Sequence, residues 1–382
     1  MTTRALVAGT LAVGIILVSV AMAGCHRSTQ VPAAWSITIP QKNIYGETGT
    51  VQLAYHNGSV FCVGSPSFDN FEEATLYSIY GSTGAISWQR GLRMSKSCGR
   101  FTLFACGGAV ICYRTPAGEL KGLDGQTGMD KWTYSDFSSI VTIADSTVHV
   151  LDGSGRYVAL DANGMRTRGA TGPVGGCDGP TVYAEDRVYG TQNHRLRATD
   201  IVTGRVLWED NMDASWLYLQ HGMAVLLVMV PDRTGQRLRA LDVQDGRELW
   251  SRTHWGAVPA VDGDTVFLAP GTPDLRDVVV RLDVRTGKEL GTFRASLWPS
   301  AKPLVADGLF YSPVNHSEYL GLGQTEYGLV AKNSASGEDL WETCLSRGST
   351  ISEPIAGDGL VFVQIPNSDG KSVSLLGYKI PK

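Results

Sequence analysis

The residues of this 382-residue chain whose types could do chemistry are few and poorly grouped. Its seven histidines, His26, His56, His149, His194, His221, His254 and His316, show no metal-ligand spacing, and each reads as a surface histidine or one satisfied within a strand. The acidic stretch "FDNFEEA", with Asp69, Glu72 and Glu73, has carboxylate oxygens suited to calcium. It misses the Asp-x-[Asp/Asn]-x-[Asp/Asn]-Gly spacing that wraps that ion, so it reads as a solvated loop. There is no His-Glu-x-x-His, Walker phosphate loop, Gly-x-Ser-x-Gly elbow or Cys-x-x-Cys. Besides Cys25 the thiols are Cys62, Cys98, Cys106, Cys112, Cys177 and Cys344, and six cysteines allow fifteen pairings. Cys62 and Cys112 each follow a turn Gly by four residues in equivalent strands, which favours burial as small core residues over a particular bridge. These residues predict no catalytic group, no metal and no cofactor.

The elements that would have to position any site come from a repeat. A turn Gly recurs at Gly84, Gly128, Gly164, Gly204, Gly246, Gly287 and Gly337, a period of about 42 residues, in the range of propeller repeats. Trp88, Trp132, Trp208, Trp250 and Trp341 follow their Gly by four places. Asp124, Asp200, Asp242 and Asp283 precede theirs by four, with Asn333 able to take the same part and Tyr80 unable to. The third copy has Arg168 where the Trp belongs and the sixth has Gly291. An Asp side chain folding onto nearby amides starts the turn, and Gly supplies its positive φ. A second hairpin precedes each of these, as in "AYHNGSVFCV" and "IAGDGLVFVQ", so one period holds four short antiparallel strands, A to D.

A four-stranded sheet with two apolar faces cannot bury either face alone, so the copies must stack as propeller blades with the tryptophans as wedges between them. The last segment supplies strands A, B and C and stops before a turn Gly and Trp. Near the start, "AAWSITIP" begins with Trp35 and has no hairpin before it. Trp35 is the missing strand D. The expectation is an all-β, eight-bladed propeller over residues 35–382, seven blades continuous in sequence and one closed by the N- and C-terminal strands. Closure removes the open edges that invite aggregation.

The runs Asp124 to Trp132 and Asp200 to Trp208, both Asp-x-x-Thr-Gly-x-x-x-Trp, resemble the pyrroloquinoline-quinone-like (PQQ-like) propeller repeat over about residues 35 to 382. The resemblance speaks for fold more than for activity, because one fold hosts many functions. At the N-terminus, Arg4 precedes an uncharged run over residues 5–24 that ends "AMAGC" at Cys25. This resembles a bacterial lipoprotein signal with Met22 where Leu is usual, which implies removal of residues 1–24, lipid on Cys25 and a tether over 25–34. A plain secretory peptide and an uncleaved spanning helix stay open, and all three readings place the domain outside the cytoplasm. With the propeller, the signal resembles the BamB family of outer-membrane assembly lipoproteins, which implies a non-enzymatic scaffold that binds an envelope protein partner through one face.

The formal charge of −4 becomes −5 when Arg4 leaves with the signal, and no basic stripe is present, which disfavours nucleic acid as a partner. The irregular stretches "SPSFDNFEEAT", "PDRTGQR", "PGTPDLRD", "PVNHSEYLGLGQTEYG" and "PNSDGK" all interrupt strands B and C and crowd one rim. Insertions on one face mark the binding face of a repeat protein. Trp216, Trp255 and Trp298, outside the repeat, read as lying in consecutive D-to-A crossings on that same rim. They either pack beneath the loops or form an aromatic patch for a partner. Arg93, Lys96 and Arg100 add charge to another crossing. Two alternatives stay open: a PQQ-dependent dehydrogenase using the quinone and calcium, against which stand the absent Cys-Cys pair and calcium cluster, and a sugar- or polymer-binding propeller.

Overall fold

The structure, a computed structural model, describes residues 31–40, 53–64, 74–92, 104–106, 110–115, 117–144, 147–173, 180–184, 186–219, 222–232, 235–254, 258–268, 278–295, 303–315, 326–347, 351–367 and 372–380. After β1 (Trp35–Pro40), blade one comprises β2 (Ala54–His56), β3 (Ser59–Gly64), β4 (Ala74–Tyr80) and β5 (Ile86–Leu92). Blade two is β6 (Phe104–Cys106), β7 (Val110–Arg114), β8 (Leu120–Asp124) and β9 (Asp130–Tyr134); blade three is β10 (Ser139–Ala144), β11 (Thr147–Leu151), β12 (Arg156–Leu160) and β13 (Arg166–Pro173). Blade four holds β14 (Thr181–Ala184), β15 (Arg187–Gln192), β16 (Arg195–Asp200) and β17 (Val206–Asp210), and blade five β18 (Trp216–Tyr218), β19 (Val225–Asp232), β20 (Gly235–Asp242) and β21 (Glu248–His254). Blade six is β22 (Ala260–Asp262), β23 (Thr265–Leu268), β24 (Val278–Asp283) and β25 (Glu289–Arg294); blade seven is β26 (Leu304–Ala306), β27 (Leu309–Asn315), β28 (Glu326–Asn333) and β29 (Asp339–Arg347). Finally β30 (Ile355–Gly357), β31 (Leu360–Pro366) and β32 (Ser372–Lys379) complete a sheet with β1.

These strands form eight four-stranded sheets, seven from consecutive strands and one composite in the order β1-β32-β31-β30. In the composite sheet Trp35 lies opposite Gly377 and Ile39 opposite Val373, antiparallel. The second strand of a blade is covered on both sides, which is why β3, β11 and β19 read as near-continuous apolar runs with buried side chains. In β19, Leu226 and Val228 pack toward blade four, while Val225, Leu227 and Met229 pack toward blade six. Apolar clusters of this kind join every pair of neighbouring blades around the ring, including the composite blade to blade one through Phe362 and Val60 and to blade seven through Val361 and Tyr311.

The repeat residues build each junction. Asp124, Asp200 and Asp283 accept the amides two and three residues on, at 2.8–3.1 Å, and Asn333 does the same for Ala335 and Ser336 at 2.9 Å. The turn Gly has positive φ, +73° at Gly84 and +64° at Gly287. It also has a second duty, because a Cβ there would meet the preceding blade's indole, at 2.6 Å for Gly84 against Trp35 and for Gly287 against Trp250. Each wedge lies across from a small residue of its own blade, Ser78 for Trp88, Gly122 for Trp132, Ala198 for Trp208, Ala240 for Trp250 and Ala331 for Trp341. The indole Nε1 then donates to the carbonyl just past the next blade's turn-initiating residue: Trp35 to Gly81 (2.6 Å), Trp88 to Gly125 (2.9 Å), Trp132 to Ala162 (3.3 Å), Trp208 to Val243 (3.1 Å) and Trp250 to Val284 (2.8 Å).

Three junctions depart from this scheme. At Gly291 the wedge position is empty and its cross-strand partner is Arg281. Arg281 donates at 3.4 Å to Ser334, the carbonyl a tryptophan would have used, and Phe293 covers Gly337. At Arg168 the guanidinium instead forms an ion pair with Asp186 of blade four. Trp341, 1% exposed and stacked on Tyr378 at 5.8 Å, has no partner for its Nε1 among the described residues. The residue in the accepting position of the composite blade, Ile380, keeps the amide bond to Gly359 at 2.9 Å that its counterparts make, but its carbonyl does not take the indole.

Two expectations are corrected. Five of the seven residues of "PDRTGQR" are strand rather than irregular insertion: β19 reaches Asp232 and β20 starts at Gly235, and these two residues pair. Trp216 does not lie in a crossing but opens the innermost strand β18. Packing against the domain also begins earlier than Trp35, since Val31 and Ala33 lie on the cluster between blade seven and the composite blade.

Candidate interaction surface

Antiparallel order puts the A-B and C-D turns on one rim and the B-C loops and D-to-A crossings on the other. Cys25, Trp255 and Trp298, the run around Asp69, Glu72 and Glu73, and Arg93, Lys96 and Arg100 lie outside the described residues. So do residues 65–73, 269–277, 316–325 and 368–371, the greater part of the other four B-C stretches, while residues 74–75, 313–315, 326–328 and 366 at their ends belong to strands. Trp216 is described. It occupies the end of β18 nearest that rim, is half-buried, stacks on Tyr218 with ring centroids 5.9 Å apart, and packs on the cluster between blades five and six. Alternation along the strand explains this, since Leu217 between them turns to the blade-four side. Burial, then nearby Asp262, pushes the Tyr218 hydroxyl upward and keeps it a neutral donor.

Titratable groups gather most closely between blades three and four, where the tryptophan is missing. The buried Tyr157 hydroxyl contacts Nδ1 of buried His149, and the His149 ring stacks on Tyr183 at 4.0 Å. Tyr183 also stacks on Tyr157 at 5.4 Å. Burial and the neighbouring Tyr183 push Tyr157 far above its ordinary range, so it is a hydrogen-bond donor rather than a base or nucleophile at neutral pH. The cluster substitutes stacked rings for an indole and closes the seam. Cys62 is a free thiol, fully buried and pushed up by burial, which makes it an inert core residue. Among the described residues no three His, Cys, Asp or Glu side chains come together to hold a metal ion.

The C-D rim carries a feature the repeat pattern conceals. All seven large apolar residues exposed among the described residues lie at C-D turns: Tyr80, Ile86, Met129, Met165, Val202, Val206 and Leu290. In blades one to four the two residues after the turn Gly include an exposed apolar one, whereas in blades five to seven they are Arg247-Glu248, Lys288-Glu289 and Glu338-Asp339, all exposed. Aligning the seven turns by their Gly and comparing the next two residues would have shown it. Attention to the conserved geometry of Asp, Gly and Trp passes over the positions that vary around the ring.

A family model described as "Outer membrane protein assembly factor BamB" matches residues 117–254 and 234–375. No curated protein sequence matches the chain significantly. Among solved structures, BamB from Moraxella catarrhalis superposes with a TM-score of 0.53 at 17% identity, over 91% of this chain and 98% of that one. A europium-containing methanol dehydrogenase gives 0.53 at 15%, over 92% and 93%. Sqt1 of Saccharomyces cerevisiae gives 0.58 at 12%, over 93% and 100%. At these identities the likeness is one of fold, shared by proteins of different function.

Proposed function

This chain belongs to the family of the outer membrane protein assembly factor BamB, and from that premise we propose that it is a lipid-anchored, extracytoplasmic scaffold that binds an envelope protein and performs no chemistry itself. The family match over more than half of the chain is the observation that carries this reading. The "AMAGC" run supports an anchor on Cys25. The partner surface is the B-C rim with Trp255 and Trp298. Trp216 stiffens its inner edge from beneath, since its ring is committed to Tyr218 and the blade-five core.

Against the quinoprotein alternative stands the sequence itself, which has no Cys-Cys pair. The test is capture of envelope partners by the full chain with Trp216, Trp255 or Trp298 replaced by Ala, alongside unfolding midpoints. Trp255→Ala and Trp298→Ala are expected to weaken capture at least about thirtyfold, the equivalent of a 2 kcal/mol hot spot, with little loss of stability. Trp216→Ala should lower stability. Unchanged capture in all three, or quinone-dependent dehydrogenase activity with added calcium, would overturn the proposal.

A further inference from the structure

The lipid-anchored reading has a geometric consequence. Trp35 holds the wedge register of every other blade, so the chain reaches β1 from the C-D rim. Ala34 is already fixed there, its amide donating to Gly377 at 2.8 Å, and Val31 packs against the cluster that includes Ile380. Cys25 is six residues before Val31, a reach of at most about 20 Å. A lipid on Cys25 therefore brings the C-D rim, not the B-C rim, against the bilayer.

That rim is polarised. The composite blade adjoins blade one, where Trp35 covers Gly84. Exposed apolar side chains then run through four consecutive blades: Tyr80 and Ile86, Met129, Met165, and Val202 with Val206. Met129 and Met165 are 68% and 65% exposed. Across the ring, the two residues after the turn Gly are charged and exposed in blades five to seven, Arg247-Glu248, Lys288-Glu289 and Glu338-Asp339, and among the described residues Leu290 is the one large apolar side chain exposed there. A monomeric domain rarely leaves so many apolar side chains exposed along one edge without a use.

We propose that the C-D turns of blades one to four are a membrane-docking edge, dipping Tyr80, Ile86, Met129, Met165 and Val206 into the lipid interface while blades five to seven tilt away. The inference rests on the lipid-anchored reading. Docking of this kind inserts apolar side chains about 5–10 Å into the headgroup boundary. It also holds the B-C rim outward, free for a protein.

The experiment places a photoreactive benzophenone side chain in full-length protein, within its own envelope, at Met129, Met165 or Val206, and in control proteins at Asp245 or Lys288. Lipid adducts are expected at the first three sites and at least about tenfold fewer at the controls, given the shallow depth of an interfacial contact. Met129→Glu with Met165→Glu should leave membrane fractionation intact, because the anchor remains, and cut lipid adducts at Val206 about tenfold, since a charge is disfavoured there. Protein adducts at the arc, or equal lipid labelling of both arcs in a membrane-bound chain, would overturn docking alone. A chain found in the soluble fraction would overturn the anchor and docking together.

Discussion

Trp250 and Trp341 occupy the same wedge position in blades five and seven and differ in one bond. Trp250 is 8% exposed and its Nε1 donates to Val284 at 2.8 Å; Trp341 is 1% exposed and its Nε1 has no acceptor among the described residues. Replacing either by Phe removes the pyrrole ring and leaves a similar void, so the packing loss nearly cancels when the two variants are compared. What remains is the hydrogen bond. Trp250→Phe forfeits about 0.5–1.5 kcal/mol of net bonding and leaves the Val284 carbonyl short of a donor. Trp341→Phe instead relieves a buried unpaired N-H, recovering part of a desolvation cost of about 1–3 kcal/mol. Trp250→Phe should therefore be less stable than Trp341→Phe by about 1–3 kcal/mol, a factor of roughly 5 to 150 in the unfolding constant. Urea unfolding followed by circular dichroism reads this difference, provided the two variants share one m-value. If Trp341→Phe loses as much stability as Trp250→Phe, the account of the joint as a missing acceptor is wrong.

Removing residues 372–382 deletes β32 and leaves β1 and β31 as open edges, so the truncated protein should aggregate; a soluble, cooperatively folding product in sedimentation and melting would contradict ring closure through that strand. Tyr157→Phe should cost about 1–2 kcal/mol by removing the buried contact to His149 and should raise hydrogen exchange first in β12 and β14. Unchanged exchange there would show that the stacked rings alone hold the seam. Hydrogen bonds from Thr203 to Asp200 and from Thr286 to Asp283 hold both carboxyls below the ordinary range. Their contribution is fully present above the unfolded value near 4 and is lost as pH falls through the lower folded value. Acid unfolding should therefore be less steep below about pH 4 in Asp200→Asn with Asp283→Asn, and an unaltered pH profile would count against the turns as its source.

The sequence by itself determined what depends on neighbours along the chain. The Asp-to-amide turn at Asp124 and the positive φ at Gly84 are local chemistry, so their spacing revealed blades, and the wedge lacking a hairpin at Trp35 revealed the composite one. Local pattern misled where strand and loop share residues: "PDRTGQR" contains the Pro, Asp and Gly of a loop, yet Pro231 and Asp232 extend β19 and Gly235, Gln236 and Arg237 extend β20, because their ladder partners are present. Trp216 likewise carries no repeat signal, and only pairing with Met229 made it a strand residue. Which carbonyl meets each indole, that Arg281 replaces a wedge from the opposite strand, and that Trp341 finds no acceptor are properties of the junction between blades. So is the apolar edge, since Ile86, Met129, Met165 and Val206 are separated by about 40 residues in sequence and become one arc only when blades one to four stand side by side. Those features were decided by tertiary structure, because they belong to surfaces assembled from residues that the chain itself never brings together.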